Sequence, residues 1–146
     1  MWSKGSIPTN LLFPWVVSGV LGFDTGIAIA NTSGDDAALG ATLGATATSG
    51  PCTLTGFPAA GGTAVQFTTP SVAAAATQTL LLSGTAGFSG FSGHIIAVCR
   101  FLNAHAFTFI VDGLGGGAPR VAEGYLALVL PNPRPAVAAG GEILGH

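Results

Sequence analysis

Two cysteines, three histidines and six acidic side chains are the groups from which this chain could build a metal centre or a nucleophile. Cys52 follows Gly50-Pro51 and Cys99 stands inside an apolar run; 46 residues separate them, with no C-x-x-C and no histidine at ligand spacing. Zinc sites gather nitrogen and sulfur ligands from closely spaced pairs, so this arrangement does not fit one. A disulfide tying two strands is the simplest use of the pair and suits an oxidising compartment. Two buried free thiols are the other reading. His94 and His105 flank an apolar stretch; if it folds as a hairpin closed at Asn103-Ala104, about eight strand residues, or ~27 Å, lie between them. They do not share a metal within one subunit, and His105 reads as a polar residue at the turn. Asp35-Asp36 and Asp112 lack the regular ligand spacing of a calcium loop and read as solvated carboxylates. Neither a metal nor a cofactor is expected.

Asp24-Thr25-Gly26, preceded by Phe23, resembles the catalytic loop of aspartic proteases, where two such aspartates face each other and share one proton. With one copy, the chain would have to dimerise as the retroviral-type proteases do. Ile27 stands where that family has a small Ala or Ser, and an alternating strand follows at once. The plainer reading is a turn entering a strand, with Asp24 bonding local backbone groups. Serine and cysteine catalysis have less support: the chain lacks a G-x-S-x-G elbow, and Cys99 lies mid-strand. The expectation is that the protein is not an enzyme, with a retroviral-type aspartic protease as the third reading of its function. Asn31-Thr32-Ser33 is an N-glycosylation sequon at a strand end, making Asn31 a candidate glycan site, and the Thr/Ser-rich loop 42–55 could carry O-linked sugar.

The elements that must position these groups are short strands. The stretch Gly93–Gly113 holds two apolar runs, Ile95–Leu102 and Ala106–Val111, around Asn103-Ala104-His105, and reads as a β-hairpin. Ile95, Ala97, Cys99 and Phe101 share one face of its first strand, and Ile96, Val98, Arg100 and Leu102 the other. Both faces are mostly apolar, so both need cover. Phe107, Phe109 and Val111 give the second strand a filled face. Before the hairpin come strands at 10–18, 23–31, 52–57, 63–68 and 77–83. Pro14 lacks the donor of a central strand, which places the first of these at an edge or a bulge. Residues 32–51 read as a long loop with at most one helical turn, since Gly40, Gly44 and Gly50 weaken any helix begun at Asp35. Glycines at 84, 87, 90 and 93 make a loop that bends tightly while burying Phe88 and Phe91. Residues 114–120 are a flexible connection, and 124–130 the last strand. The fold class is all-β: an antiparallel β-sandwich, Ig-like or jelly-roll-like, of seven to eight short strands. A closed barrel is second. An N-terminal arm (1–9) and a C-terminal tail (134–146) flank the single domain at 10–133.

Composition narrows the function. Only 7% of residues are charged and 49% are apolar. Four Lys+Arg against six Asp+Glu leave no basic patch for nucleic acid. The apolar stretch 11–23 is broken by Pro14 and two glycines, too interrupted for a spanning helix, and the chain has too few polar residues to line a membrane barrel. Lys4 before an apolar run has the outline of a signal peptide, but Pro14 and Trp15 interrupt it and no A-x-A pattern follows closely. So little charge suits a protein that hides its surface in an assembly or under sugar.

The blocks FDTGIAIANTS, GPCTLTGF, GHIIAVCRF with NAHAFTFIVDG, and AEGYLALVLPNP resemble an uncharacterised β-rich domain that recurs in large secreted and surface proteins of environmental bacteria. The resemblance implies an extracellular setting and a Cys52–Cys99 disulfide. The function expected is a structural subunit of an extracellular filament or surface assembly, a homopolymer joined by donor-strand exchange of a terminal arm. Candidate assembly contacts are Trp2, Ile7, Pro14, Trp15, Ile96, Val98, Leu102, Val137, Ile143 and Leu144. The alternative is a cell-surface module binding carbohydrate or an adhesion partner, which exposed aromatics such as Trp2, Trp15 or Tyr125 on one flat face would favour.

Overall fold

The computed structural model describes residues 8–112 and 122–131. Among them nine strands form two antiparallel sheets packed as a sandwich, as the short alternating runs and frequent glycines require. The five-stranded sheet has the order β4-β3-β6-β1-β9 and the four-stranded sheet β5-β2-β7-β8. Their strands are β1 (Thr9–Val17), β2 (Phe23–Asn31), β3 (Cys52–Pro58), β4 (Val65–Thr68), β5 (Thr77–Leu81), β6 (Ser92–Cys99), β7 (Ala104–Asp112), β8 (Ala122–Leu126) and β9 (Leu128–Leu130). The core lies between the sheets, where every second residue of each long strand points inward. Leu11, Phe13 and Val16 of β1 meet Ile27 and Ile29 of β2, Leu54 of β3, and Ile95 and Ala97 of β6. None of the helices among the described residues is long and apolar enough to cross a membrane.

The disulfide is present. Cys52 and Cys99 are direct partners in the β3–β6 ladder, both fully buried, and their sulfurs are joined. It therefore ties two neighbouring strands of one sheet. The glycine-punctuated loop before β6 also folds as its sequence predicts. Phe88 and Phe91 pack edge to face at 5.1 Å, both buried, above Gly56 of β3. A Cβ on Gly56 would come within 2.5 Å of the Phe88 ring, so only glycine leaves room for this pair.

Four expectations change. The hairpin is not one: β6 pairs with β1 and β3, while β7 pairs with β2 and β8 in the other sheet. Residues 100–103 are an arch across the sandwich, with Phe101 buried at its corner and Asn103 in the left-handed region at φ 63°. The turn residue was legible, but a turn between strands does not say whether they pair. Residues 124–130 are likewise two strands, since the chain leaves the four-stranded sheet at Ala127 and enters the other as β9. This makes the count nine.

β1 lies inside its sheet, between β6 and β9, so the edge option for Pro14 is not the one taken. The bulge option is: the β1–β6 register slips between Phe13 and Val16, and Pro14 and Trp15 stand exposed within the slip. Finally, Asp36–Leu43 is an eight-residue helix, α1, longer than the single turn expected. Gly40, at φ 81°, breaks it in the middle, and none of its residues is buried.

Candidate functional site

Asp24 bonds backbone groups, as its plainer reading expected. Asp24-Thr25-Gly26 lies within β2, paired with β7 throughout and with β5 at Gly26, and not in an open loop. One carboxylate oxygen accepts the Thr25 and Ser83 backbone N–H groups at 2.8 and 3.2 Å, and the other accepts the Ser83 hydroxyl. Thr25 directs its hydroxyl to the Val17 carbonyl at 2.7 Å and accepts the Val17 N–H at 3.0 Å. Both side chains are buried and engaged in holding β1 and the turn after β5 to β2. His94 stacks on Phe57 at 5.0 Å on the outside of the five-stranded sheet, while His105 is exposed on the opposite sheet. Among the described residues no three His, Cys, Asp or Glu side chains gather as a metal site.

Asn31, the sequon asparagine, is 1% exposed. Its amide nitrogen donates to the carbonyls of Thr48 and Val72 at 2.7 and 3.1 Å, and its oxygen accepts the Ser33 hydroxyl at 2.7 Å. The nitrogen that would carry a glycan is therefore spent inside the fold, anchoring the loop after α1 to the strand end.

What the fold does present is apolar surface. On the four-stranded sheet, Phe107, Phe109 and Val111, the filled face expected of this strand, point outward from β7. The inward positions of β7 are the smaller Ala104, Ala106 and Thr108. Phe107 and Phe109 are 44% and 38% exposed, and Leu126 beside them on β8 is 73% exposed. The rings lie flat because their neighbours are glycines. A Cβ on Gly26 would meet the Phe109 ring at 2.2 Å, and one on Gly124 the Phe107 ring at 2.4 Å. These glycines pair with those phenylalanines or stand one row away in the ladder. On the other side of Phe109, a trough of about 450 Å³ runs over Gly26 and Ala28 to Leu81 on β5. Glycine inside a strand signals a close approach, and this was the cue by which the face could have been found.

Two further depressions are apolar. On the outside of the five-stranded sheet, Leu12, Pro14, Phe57, His94 and Ile96 border a shallow hollow of about 460 Å³. Ile96 and Val98 are half-buried here, and Leu102 is exposed beyond the strand, so this predicted face exists and is open to solvent. At one end of the sandwich, Trp15, Val17, Val20, Phe23 and Ile110 line a cleft of about 340 Å³ with Glu123 at its border. Leu21 projects beside it, 89% exposed and at φ 54°, a conformation bulky residues rarely adopt. Tyr125 holds the backbone of Trp15. Its hydroxyl donates to the Trp15 carbonyl and accepts the Trp15 N–H at 3.3 Å. Burial raises its pKa above the usual value of 10.0, and the bond from the Trp15 backbone opposes that rise.

Of the predicted contact residues, Pro14, Trp15, Ile96, Val98 and Leu102 are placed as above. Pro14, Ile96 and Val98 share the five-stranded sheet, and Trp15 turns to the end cleft. Trp2, Ile7, Val137, Ile143 and Leu144 lie outside the described residues, as do residues 1–7 of the expected arm and the tail 134–146.

No family model and no curated relative matches the chain. Among solved structures it is similar to the crystal structure of Thermotoga maritima 1070, with a TM-score of 0.58 and 14% identity over 86% of this chain and 95% of that one. At that identity the likeness is one of fold.

Proposed function

We propose that this protein is a structural subunit of an extracellular assembly, held to its neighbours by packing of apolar sheet faces. The observation that carries the reading is the outer face of the four-stranded sheet. Phe107, Phe109, Leu126 and Leu81 stand exposed there, without a lysine, arginine or unsatisfied carboxylate among the described residues of that face. Exposed apolar patches of this kind mark interaction sites. A chain with 7% charged residues has little else with which to recognise a partner. The buried disulfide fits an oxidising compartment. Donor-strand exchange of a terminal arm rests on segments beyond the described residues, so face packing is the form of assembly that the geometry favours.

Size exclusion and negative-stain microscopy of native material test this. Polymers or ordered layers are expected, and a monodisperse monomer at high concentration refutes it. A second reading, a surface binding module, is favoured by the end cleft, where half-exposed Trp15 borders an apolar hollow. Trp15 fluorescence titrated with soluble glycans is its test: a saturable change supports it.

A further inference from the structure

We propose that the partner on the four-stranded sheet is a second copy of the same sheet, packed face to face about a two-fold axis. The axis runs parallel to the strands, midway between β2 and β7. This inference rests on the assembly reading above and specifies its contact.

The relief of the face is the first argument. Along β7, Phe107, Phe109 and Val111 form a ridge. Along the adjacent β2, Ala28 and Ala30 form a trough, since neither rises above a methyl group, while at Gly26 the chain's own Phe109 ring lies across the strand. The ladder sets them row by row, Gly26 beside Phe109, Ala28 beside Phe107 and Ala30 beside His105. Neighbouring strands are about 4.8 Å apart. A two-fold axis between them carries each copy's Phe107 onto the other's Ala28, in the same row and twice over, and sets the two flat Phe109 rings against each other. Strand directions stay aligned, which is the ordinary way two sheets pack, about 10 Å apart. A surface whose ridge and trough are adjacent and parallel is complementary to itself, as a two-fold contact requires.

Charge is the second argument. A two-fold contact sets each charge close to its own duplicate, so an ionised face opposes its own pairing. Among the described residues Asp24 is the only carboxylate on the outward rows of this face, and Ser83 and Thr25 enclose it. His105 stands at the far end of the ridge.

The third argument is area. The nine rows of β2 and β7, with the three rows on each flank where β5 and β8 oppose each other, cover about 390 Å² at about 4.8 by 3.4 Å per residue, which side-chain relief raises to about 500 Å² per copy, or about 1,000 Å² for the pair. That is the lower bound for a specific interface and predicts a reversible dimer.

Sedimentation velocity over a wide concentration range, on the full chain, is the test. The wild type is expected to dimerise reversibly, and Phe107→Ser with Phe109→Ser to weaken the dimer about 100-fold, as loss of two central aromatic anchors does. Both side chains lie on the outside, so circular dichroism should show the fold intact. As a second measurement, chains carrying Ala28→Cys are mixed with chains carrying Phe107→Cys and treated with a short thiol crosslinker. The two-fold geometry predicts mixed dimers. If the serine variants assemble as the wild type does while Leu12→Thr with Ile96→Thr abolishes assembly, the contact is on the other sheet; this proposal is then overturned and the assembly reading stands. Dimers that never grow further leave this proposal standing and remove the polymer. A wild type that stays monomeric throughout overturns both.

Discussion

The hydroxyl of Tyr125 takes both main-chain groups of Trp15, donating to its carbonyl and accepting its N–H, so a side chain of the four-stranded sheet occupies a place that β9 does not reach. Among the described residues β9 pairs only with Asn10, Leu11 and Leu12, and the backbone beyond the bulge at Pro14 has no ladder partner on that side. Tyr125→Phe is expected to lower stability by about 1 kcal/mol, the net worth of such bonds. The alkaline limb of the stability curve should change as well. Because folding raises the Tyr125 pKa, its contribution is complete below the unfolded value near 10.0 and is lost as pH rises through the folded one. Denaturant midpoints across pH 9–12 should therefore fall less steeply in the variant than in the wild type.

Gly26 and Gly56 carry the same clash with different consequences. A Cβ at either would come within 2.5 Å of a phenylalanine ring. Above Gly26 the ring is that of half-exposed Phe109, which can swing into water; above Gly56 it is that of fully buried Phe88, which cannot. Gly26→Ala should cost less than about 1 kcal/mol, and Gly56→Ala about 2–3 kcal/mol through overpacking. Urea melts of the two variants check the ordering, and equal losses would contradict it.

Reduction should expose how much the fold relies on its crosslink. Cys52 and Cys99 close a loop of 47 residues. In the chain-entropy account, such a loop is worth about 4 kcal/mol. The paired variant Cys52→Ala with Cys99→Ala is expected to lose about 2–4 kcal/mol, and thermal melts with and without reductant should reproduce the difference in the wild type.

Asn31 gives a sharper test of interior hydrogen bonding. Replacing it with alanine removes the donor to the Thr48 and Val72 carbonyls and the acceptor for Ser33. A loss of about 3 kcal/mol is expected, since buried polar groups are left unpaired. Mass analysis of the native peptide should find Asn31 unmodified, and a glycan there would overturn the buried assignment.

Strand positions, the sandwich and the buried Phe88–Phe91 pair were legible because alternation and glycine spacing report local geometry. Pairing was not. In the run 95–111 both faces of each strand are apolar, so nothing in the pattern separates a hairpin from an arch, and the inner face of β7 had to be decided by the sheet. Alternation puts Phe107 and Phe109 on one face but does not say which side that face turns to; Gly26 and Gly124 let the rings lie flat on the outside, and Ala104, Ala106 and Thr108 point inward. The run 124–130 read as an uninterrupted strand, since a change of sheet at Ala127 leaves no turn residue behind.

The arch at 100–103 has a kinetic consequence. Between β1 and β9 the chain passes back and forth between the sheets, and only β3–β4 and β7–β8 pair with their immediate successors in sequence. Neither sheet exists until distant segments have met, so loop-closure entropy is spent before most ladders can reward it. Folding should accordingly be slow for a chain of this length and dominated by one late barrier, with nothing stable to be gained from half the sequence. A ribosome would have to release β9 before β1 found its second neighbour, and until then the outward phenylalanines of β7 would be apolar surface on an unfinished fold.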